Sequence, residues 1–301
     1  MSKYIKFAVS TFVLMAQITA WAQNADNKNI AIKAHANIGL GDAMNIESCM
    51  PELNQSSSSS SEFGVDLGWT FWRKQNHNLE LNVGLAYSSS KLKLGINNLN
   101  YSYLASSDAD MDGDSYTRYY ELTGLEQNID LSRFVIPVYV SYAYRCTNWL
   151  KLHVDLGLNF GFVLSSKISG VSGTGNCYGV YPKYDNLKIE ESYLNNFGPQ
   201  QYSADMCSSP ETNGLTCSLL GGIGAELRIY GPLSADLSVR YTAAMNNLYK
   251  GNITHLTSYS DINSPVTYTV KDGTRINSLT NYLTSSKLSN LGLNISLIYH
   301  F

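Results

Sequence analysis

The chain has 301 residues, 44% of them hydrophobic, and a formal net charge of −3. This mild acidity argues against a nucleic-acid partner. Beyond the N-terminus there is no apolar run of the roughly 20 residues that a membrane-spanning helix needs, which excludes a helical membrane bundle.

The N-terminal residues 1–22 have the pattern of a secretory signal peptide. Lys3 and Lys6 form a positive region, a short apolar stretch follows, and residues 20–22 read Ala-Trp-Ala, which matches an A-x-A cleavage site. We therefore predict a mature chain that begins at Gln23. An uncleaved anchor helix is the alternative, and the shortness of the apolar stretch disfavours it.

Eight later segments alternate apolar and polar residues at every second position. This period predicts strands with one apolar face and one polar face. Each has about nine or more residues, which is enough for a tilted strand to cross a bilayer. In chain order the segments are residues 30–40, 63–71, 79–87, 134–144, 150–162, 219–229, 233–241 and 291–301.

The connections between these segments alternate strictly between short and long. Such alternation is typical of an up-and-down barrel with short periplasmic turns and long external loops. We therefore predict that residues 23–301 form an all-β, eight-stranded antiparallel transmembrane β-barrel in the cell outer membrane, in contact with its lipid. The serine run 56–61 is predicted to be a flexible loop tip. The predicted long loops are residues 41–62, 88–128, 165–217 and 242–287.

A soluble eight-stranded barrel is the alternative fold. It would place a charged face outward, whereas the polar face here is rich in Gly, Ser and Asn. The apolar face instead carries aromatic residues near the strand ends, as expected at membrane interfaces. The predicted aromatic girdles contain Trp69, Phe71, Tyr142, Tyr144, Trp149, Tyr299 and Phe301 on one side, and Tyr87, Phe160, Phe162 and Tyr241 on the other.

The polar face carries charges of both signs, with histidines among them. Because the lumen of an eight-stranded barrel barely exceeds its own side chains, these groups should pair and fill it. A polar conduit is the alternative. The predicted lumen network contains Lys33, His35, Asp66, Glu80, Arg133, Lys151, His153, Asp155, Glu226, Arg228, Asp236 and Arg240.

His153 and Asp155 share the inward face of one strand, a pairing that catalytic sites also use. No nucleophile stands at a defined spacing from them, so we predict no catalytic residue, no resident metal and no cofactor. A weaker signal is the run Asp108, Asp110, Asp112 and Asp114, which matches the first half of a calcium loop. The twelfth position of that loop is Tyr119 where an acid is expected.

Four cysteines fall in or beside the predicted external loops: Cys49, Cys177, Cys207 and Cys217. Outside the cytosol such thiols can form up to two disulfides. Three pairings are open, of which Cys177 with Cys207 is slightly favoured because both lie in one loop.

The last strand, residues 291–301, resembles the C-terminal sorting signal of outer-membrane barrels, with Tyr299 and the final Phe301 at its end. Internal segments resemble the PorT-like barrel families of Bacteroidetes, a group of small OmpA/OmpX-type barrels. The resemblance implies insertion by the barrel assembly machinery and, from PorT, a role as accessory to a secretion system. The resembling segments are residues 134–138, 156–162, 165–167, 222–226, 240–241 and 246–248.

Together these features predict a non-enzymatic surface scaffold whose external loops contact an unknown extracellular partner. A narrow channel or carrier for small molecules is the second hypothesis, and the secretion accessory is the third.

Overall fold

The computed structural model of the chain describes residues 29–50, 52–105, 114–191, 197–251, 257–259 and 274–301. The predicted signal peptide, its cleavage point at Gln23, and Asp108, Asp110 and Asp112 lie outside these residues. No helix in the described ranges is long and apolar enough to cross a bilayer.

Strands make up most of the described chain. In chain order they are β1 (Ile30–Ser48), β2 (Leu53–Lys74), β3 (His77–Ala105), β4 (Tyr116–Arg145), β5 (Leu150–Tyr181), β6 (Leu187–Ile189), β7 (Gly198–Gln201), β8 (Leu215–Tyr230), β9 (Leu233–Ala244), β10 (Thr257–Tyr259), β11 (Thr274–Ile276) and β12 (Leu283–His300).

Eight long strands close into a ring. The antiparallel order β1-β2-β3-β4-β5-β8-β9-β12 returns to β1, so each of these strands pairs on both sides. The all-β antiparallel barrel predicted from the sequence is therefore confirmed.

One end of the ring, which we call the turn end, carries the short connections and both ends of the described barrel. The β2–β3 turn uses Gln75 at φ 50°, and the β8–β9 turn uses Gly231 at φ 52°. The backbone N–H of Phe301 donates to the carbonyl of Ile30 at 2.9 Å, which joins the last residue to the first strand. We call the opposite end the extended end.

At the extended end the predicted loop 41–62 is wrong, and the other three predicted loops are right only in part because strands reach into them. Long connections remain between β5 and β8 and between β9 and β12. β1 continues to Ser48 and β2 begins at Leu53, so the serine run 56–61 lies within β2 and is not a loop tip. β3, β4 and β5 contain 29, 30 and 32 residues, which is far more than the 9–11 or so that cross a bilayer. Much of the sequence expected in loops therefore continues the barrel wall beyond the membrane.

The hydrophobic pattern of the wall inverts between the two ends. Along β3, Val83 and Leu85 face outward near the turn end and are 45% and 48% exposed. Further along the same strand Leu92 and Leu94 face inward and are buried, while Lys91, next to Leu92, is exposed. The inversion follows the surroundings, because lipid favours apolar groups on the outside of the wall and water favours them on the inside.

The inward side chains of the extended end form a packed apolar core, which we call the external core. A short 3-10 turn, Leu279–Tyr282, packs into it, held by Gln127, whose Oε1 accepts from the Leu279 N–H at 2.8 Å. The buried members of the external core are Leu53, Leu92, Leu94, Ile96, Leu122, Leu125, Ile129, Leu131, Tyr202, Leu248, Tyr249, Leu279, Tyr282, Leu283 and Leu288.

Candidate functional site

The centre of the lumen is crossed by a chain of polar contacts between Asp66, Tyr139, Arg240 and Asp155, which we call the crossbar. The Tyr139 hydroxyl donates to Asp66 Oδ2 at 2.7 Å, and Arg240 Nη2 donates to Tyr139 Oη at 3.1 Å. Arg240 Nη2 also lies 3.6 Å from Asp155 Oδ2. These residues come from β2, β4, β9 and β5, so the crossbar links four strands through the interior.

Two glycines give the crossbar its space. A Cβ at Gly84 would overlap the carboxylate of Asp66, and a Cβ at Gly157 would overlap the backbone and Cβ of Tyr139. All four crossbar side chains are buried. The small residues that the sequence places on the polar face therefore leave room for larger polar groups from neighbouring strands.

Histidines flank the crossbar on both sides. His35 Nδ1 lies 3.3 Å from Asp66 Oδ2. His153 lies between two carboxylates, with Nδ1 3.0 Å from Asp155 Oδ1 and Nε2 2.6 Å from Asp236 Oδ1. Both rings are thus held by acids from the polar face.

Between the crossbar and the turn end the lumen widens into a cavity of about 490 Å³, which we call the turn-end cavity. Ion pairs line its wall: Lys33 Nζ lies 2.5 Å from Glu80 Oε1, and Lys151 Nζ donates to Glu226 Oε1 at 2.7 Å. Polar side chains from several strands therefore converge on a space that can hold water or a small ligand.

Beyond the crossbar, towards the extended end, the remaining space is only about 50 Å³. Arg133 lines it and donates from Nη2 to Ser88 Oγ at 3.3 Å. Arg240 lines both cavities, so the crossbar divides them. The external core follows above the smaller cavity.

The structure brings together most of the twelve residues predicted for the lumen network, with two exceptions. Arg228 is exposed at the rim and donates from Nε to the carbonyl of Gly231 at 2.8 Å instead of pairing with an acid. Arg133 lies in the smaller cavity, apart from the acids of the crossbar. The sequence prediction did not include Tyr139 and Ser141. Both alternate with the outward apolar residues of β4, and this alternation could have identified them as inward-facing.

Another buried arginine, Arg118, lies at the extended end in an aromatic cage. Its Nε donates to Cys177 Sγ at 3.2 Å and its Nη1 to the Tyr116 hydroxyl at 3.3 Å. Its guanidinium carbon lies 5.4 and 5.1 Å from the ring centroids of Tyr120 and Phe197. Burial raises the pKa of Tyr116 to about 12 and also raises the pKa of the Cys177 thiol.

The predicted disulfides are not formed. Cys49, Cys146, Cys177, Cys207 and Cys217 are all free thiols. Cys177 is held by Arg118, and Cys207 accepts a long contact of 3.7 Å from the Gln127 amide, so the favoured pair has other partners.

The calcium prediction stays a prediction, because three of its four aspartates lie outside the described residues. The fourth, Asp114, accepts hydrogen bonds of 2.6 Å from Lys183 and from Tyr184. The bond from Lys183 is the main cause that lowers the pKa of the Asp114 carboxyl. Within the described ranges no three His, Cys, Asp or Glu side chains are grouped so that they could hold a metal ion.

Comparison with known proteins identifies the family. Residues 21–250 match the family described as outer membrane protein beta-barrel domain, which covers about three-quarters of the chain. The chain therefore belongs to this family and is an outer membrane β-barrel protein. No curated protein matches it.

Solved structures with some similarity are also outer membrane proteins. OprG from Pseudomonas aeruginosa is 12% identical with a TM-score of 0.40, over 92% of this chain and 99% of that one. The translocator domain of the autotransporter NalP from Neisseria meningitidis is 10% identical with a TM-score of 0.25, over 98% and 97%. The outer membrane protease OmpT from Escherichia coli is 10% identical with a TM-score of 0.26, over 91% and 94%. Similarity at this level carries no functional inference.

Proposed function

We propose that this outer membrane β-barrel protein is a non-conducting, non-enzymatic scaffold that presents its extended end to a partner outside the cell. The turn end faces the periplasm and the extended end the exterior, as the short and long connections of outer-membrane barrels do. The observation that carries the proposal is that polar contacts in the membrane and apolar packing beyond it close the lumen at two levels.

The first closure is the crossbar. Its four side chains are buried, and only about 50 Å³ of free space lies between it and the external core. A hydrated ion would have to separate several paired groups to pass. Such separation leaves buried charges unpaired, at a cost of about 3–5 kcal/mol each.

The second closure is the external core. Leu94, Leu125 and Leu279 are fully buried within it, at 0% exposure each. This packing disfavours the channel hypothesis and equally a carrier that would need space for an apolar cargo.

The contacts of His153 support the proposal that the protein is not an enzyme. Both ring nitrogens of His153 face carboxylates, and the Ser141 hydroxyl donates to Asp155 Oδ1 at 2.6 Å. A serine that donates to the acid is not placed for activation by the histidine, since the base would have to accept its proton. The geometry favours a structural role for all three residues.

Where β2 to β5 form it, the surface offered outside the cell is polar and sheet-like. A shallow depression of about 370 Å³ on its outer face is lined by Lys91, Lys93, Asn128, Asp130 and Ser169 among others. Near the tip, the rings of Tyr119 and Tyr178 stack with centroids 5.1 Å apart. Mixed charge, amide groups and aromatic rings suit a polar partner.

Neither this surface nor the lumen favours the secretion-accessory hypothesis, which stays a prediction.

Site-specific photo-crosslinking in intact cells tests the proposal. A photoreactive residue at Ser59, which is exposed on the extended end, should yield a defined crosslinked species. The matched position is Asn76, which is exposed in a turn at the opposite end. The same species from both positions, or none from Ser59, would contradict presentation by the extended end.

A further inference from the structure

The turn-end cavity has an excess of cationic side chains. Six Lys or Arg residues line it against four Asp or Glu residues. Three of the cations have acidic partners: Lys33 pairs with Glu80, Lys151 with Glu226, and Arg240 with Asp155. The fourth acid, Asp236, faces His153.

The remaining cations are Arg73, Arg145 and Arg228, which lie at the mouth of this cavity on β2, β4 and β8. Among the ion pairs of the described residues, none includes any of the three. Arg228 donates from Nε to the carbonyl of Gly231, and its two terminal nitrogens make no ion pair with the described residues. Three arginines from three strands thus line one opening.

Arg240, which lines both cavities, also has a buried donor without a partner. The side chain of Arg240 is only 5% exposed, and its Nε has no hydrogen-bond partner among the described residues. A buried guanidinium N–H without a partner is costly, so a bound acceptor or water is expected there. Its neighbour Asp155 Oδ2 also has no hydrogen bond, but the ion pair with Arg240 compensates its charge.

These arginines are on the lumen side of the wall. The neighbouring cation Lys74 is exposed but does not line the cavity. Residues on the outer face at this end are aromatic, including Trp69 and Phe71 at 52% and 46% exposure. The rim arginines therefore surround the opening and not the lipid-facing belt.

We propose that the turn-end cavity binds a multivalent oxyanion, with phosphate groups held at the mouth by Arg73, Arg145 and Arg228. The planar guanidinium presents paired N–H donors that match phosphate oxygens two at a time. The cavity volume of about 490 Å³ lies in the range of small-molecule sites. The phosphate can belong to a soluble molecule or to a lipid headgroup of the adjacent leaflet.

Isothermal titration of pyrophosphate into the folded mature protein tests the site, in zwitterionic detergent at low ionic strength. The variant Arg73→Gln/Arg145→Gln/Arg228→Gln should bind at least about tenfold more weakly, because even one lost charge-assisted hydrogen bond costs about that factor. The matched variant Lys167→Gln/Lys250→Gln/Lys287→Gln removes the same charge from exposed positions outside the cavity. Its affinity should stay within about twofold of wild type, since distant surface charges are screened. Folding of each variant is checked by heat-modifiable migration in gels.

Repeating the titration in nanodiscs with and without phosphatidylglycerol distinguishes the two sources of phosphate. Equal pyrophosphate binding in both supports a soluble ligand. Binding suppressed only by the anionic lipid, together with lipid retained by wild type but not by the arginine variant in native mass spectrometry, supports a headgroup. No pyrophosphate binding without anionic lipid, or equal loss in the two triple variants, would overturn the site.

Discussion

Tyr139 and Asp66 are hydrogen-bonded on the lumen side of the wall at 2.7 Å although β3 lies between their strands. The two side chains meet over Gly84 of β3, which has no side chain to keep them apart. The contact fixes the distance between two non-adjacent strands. Through Arg240 it continues to Asp155, so the barrel is braced internally at the depth where its free space is smallest.

Breaking this brace should be costly. Asp66 is fully buried, so Asp66→Asn should lower the free energy of unfolding by about 3–5 kcal/mol, because it leaves neighbouring charges unpaired. Glu80→Gln removes an acid whose side chain is 15% exposed at the wetter cavity, where water can reach the Lys33 left behind, so its effect should be smaller than that of Asp66→Asn. Urea unfolding in lipid vesicles measures both. Equal effects would mean that the crossbar is not the tighter part of the network.

The apolar side chains of the wall face inward at the extended end and outward in the membrane. We therefore expect truncation of Leu94 and of Leu156 to change the free energy of unfolding by different amounts. Leu94→Ala in the external core should cost about 2–5 kcal/mol, because it leaves a cavity among packed side chains. Leu156 is 69% exposed on the outside of the wall, so Leu156→Ala should cost much less while Leu156→Arg costs about 2–4 kcal/mol. The same unfolding assay applies. A small effect of Leu94→Ala on the free energy of unfolding would indicate that the extended end is not packed.

Cysteine accessibility tests the orientation of the barrel. In single-cysteine variants, Cys49 at the extended end should react with a membrane-impermeant maleimide on intact cells. Cys146 at the turn end should react only after the outer membrane is permeabilised. Cys177 should react only after unfolding, since burial shields it and raises its thiol pKa, which lowers the thiolate fraction. Labelling of Cys146 on intact cells would reverse the orientation.

The last residue should matter for assembly. Phe301 joins β1 through its backbone and packs against Tyr299, with ring centroids 4.9 Å apart. Phe301→Asp should lower the amount of folded protein in the outer membrane, as measured by heat-modifiable migration of membrane fractions. Phe301→Tyr keeps an aromatic ring and should be tolerated. Wild-type levels of the Asp variant would contradict a role of this residue in closure or sorting.

The membrane part of this barrel could be predicted from the sequence because lipid outside and polar groups inside impose one period and one phase on every strand. The extended end was missed because its phase is opposite. Leu92, Leu94 and Ile96 alternate with Lys91 and Lys93 as regularly as the membrane residues do, and only the expectation that apolar positions face lipid assigned them to a loop. Continuing the phase of β3 past the membrane would have placed these leucines inside.

The pairing within the lumen was less accessible to sequence reasoning. Alternation showed which residues face inward, including Asp66 and Asp155, but the partner of each depends on strand order, tilt and stagger around the ring. The cage of Arg118 had no signal at all, since an arginine between two tyrosines reads equally well as an exposed strand position. Burial of that charge depends on Phe197, which is distant in sequence and packs over it.

Ion conductance tests most directly whether the barrel is closed. Purified wild-type protein, folded as judged by gel migration, is inserted into planar bilayers and recorded at high salt and moderate voltage. Because the crossbar and the external core both block the lumen, the account predicts no steady conductance above that of the bare membrane. Stable, reproducible conductance steps from the folded wild-type protein would contradict it, and a change in their ion selectivity in Glu80→Gln would establish a water-filled path past the crossbar.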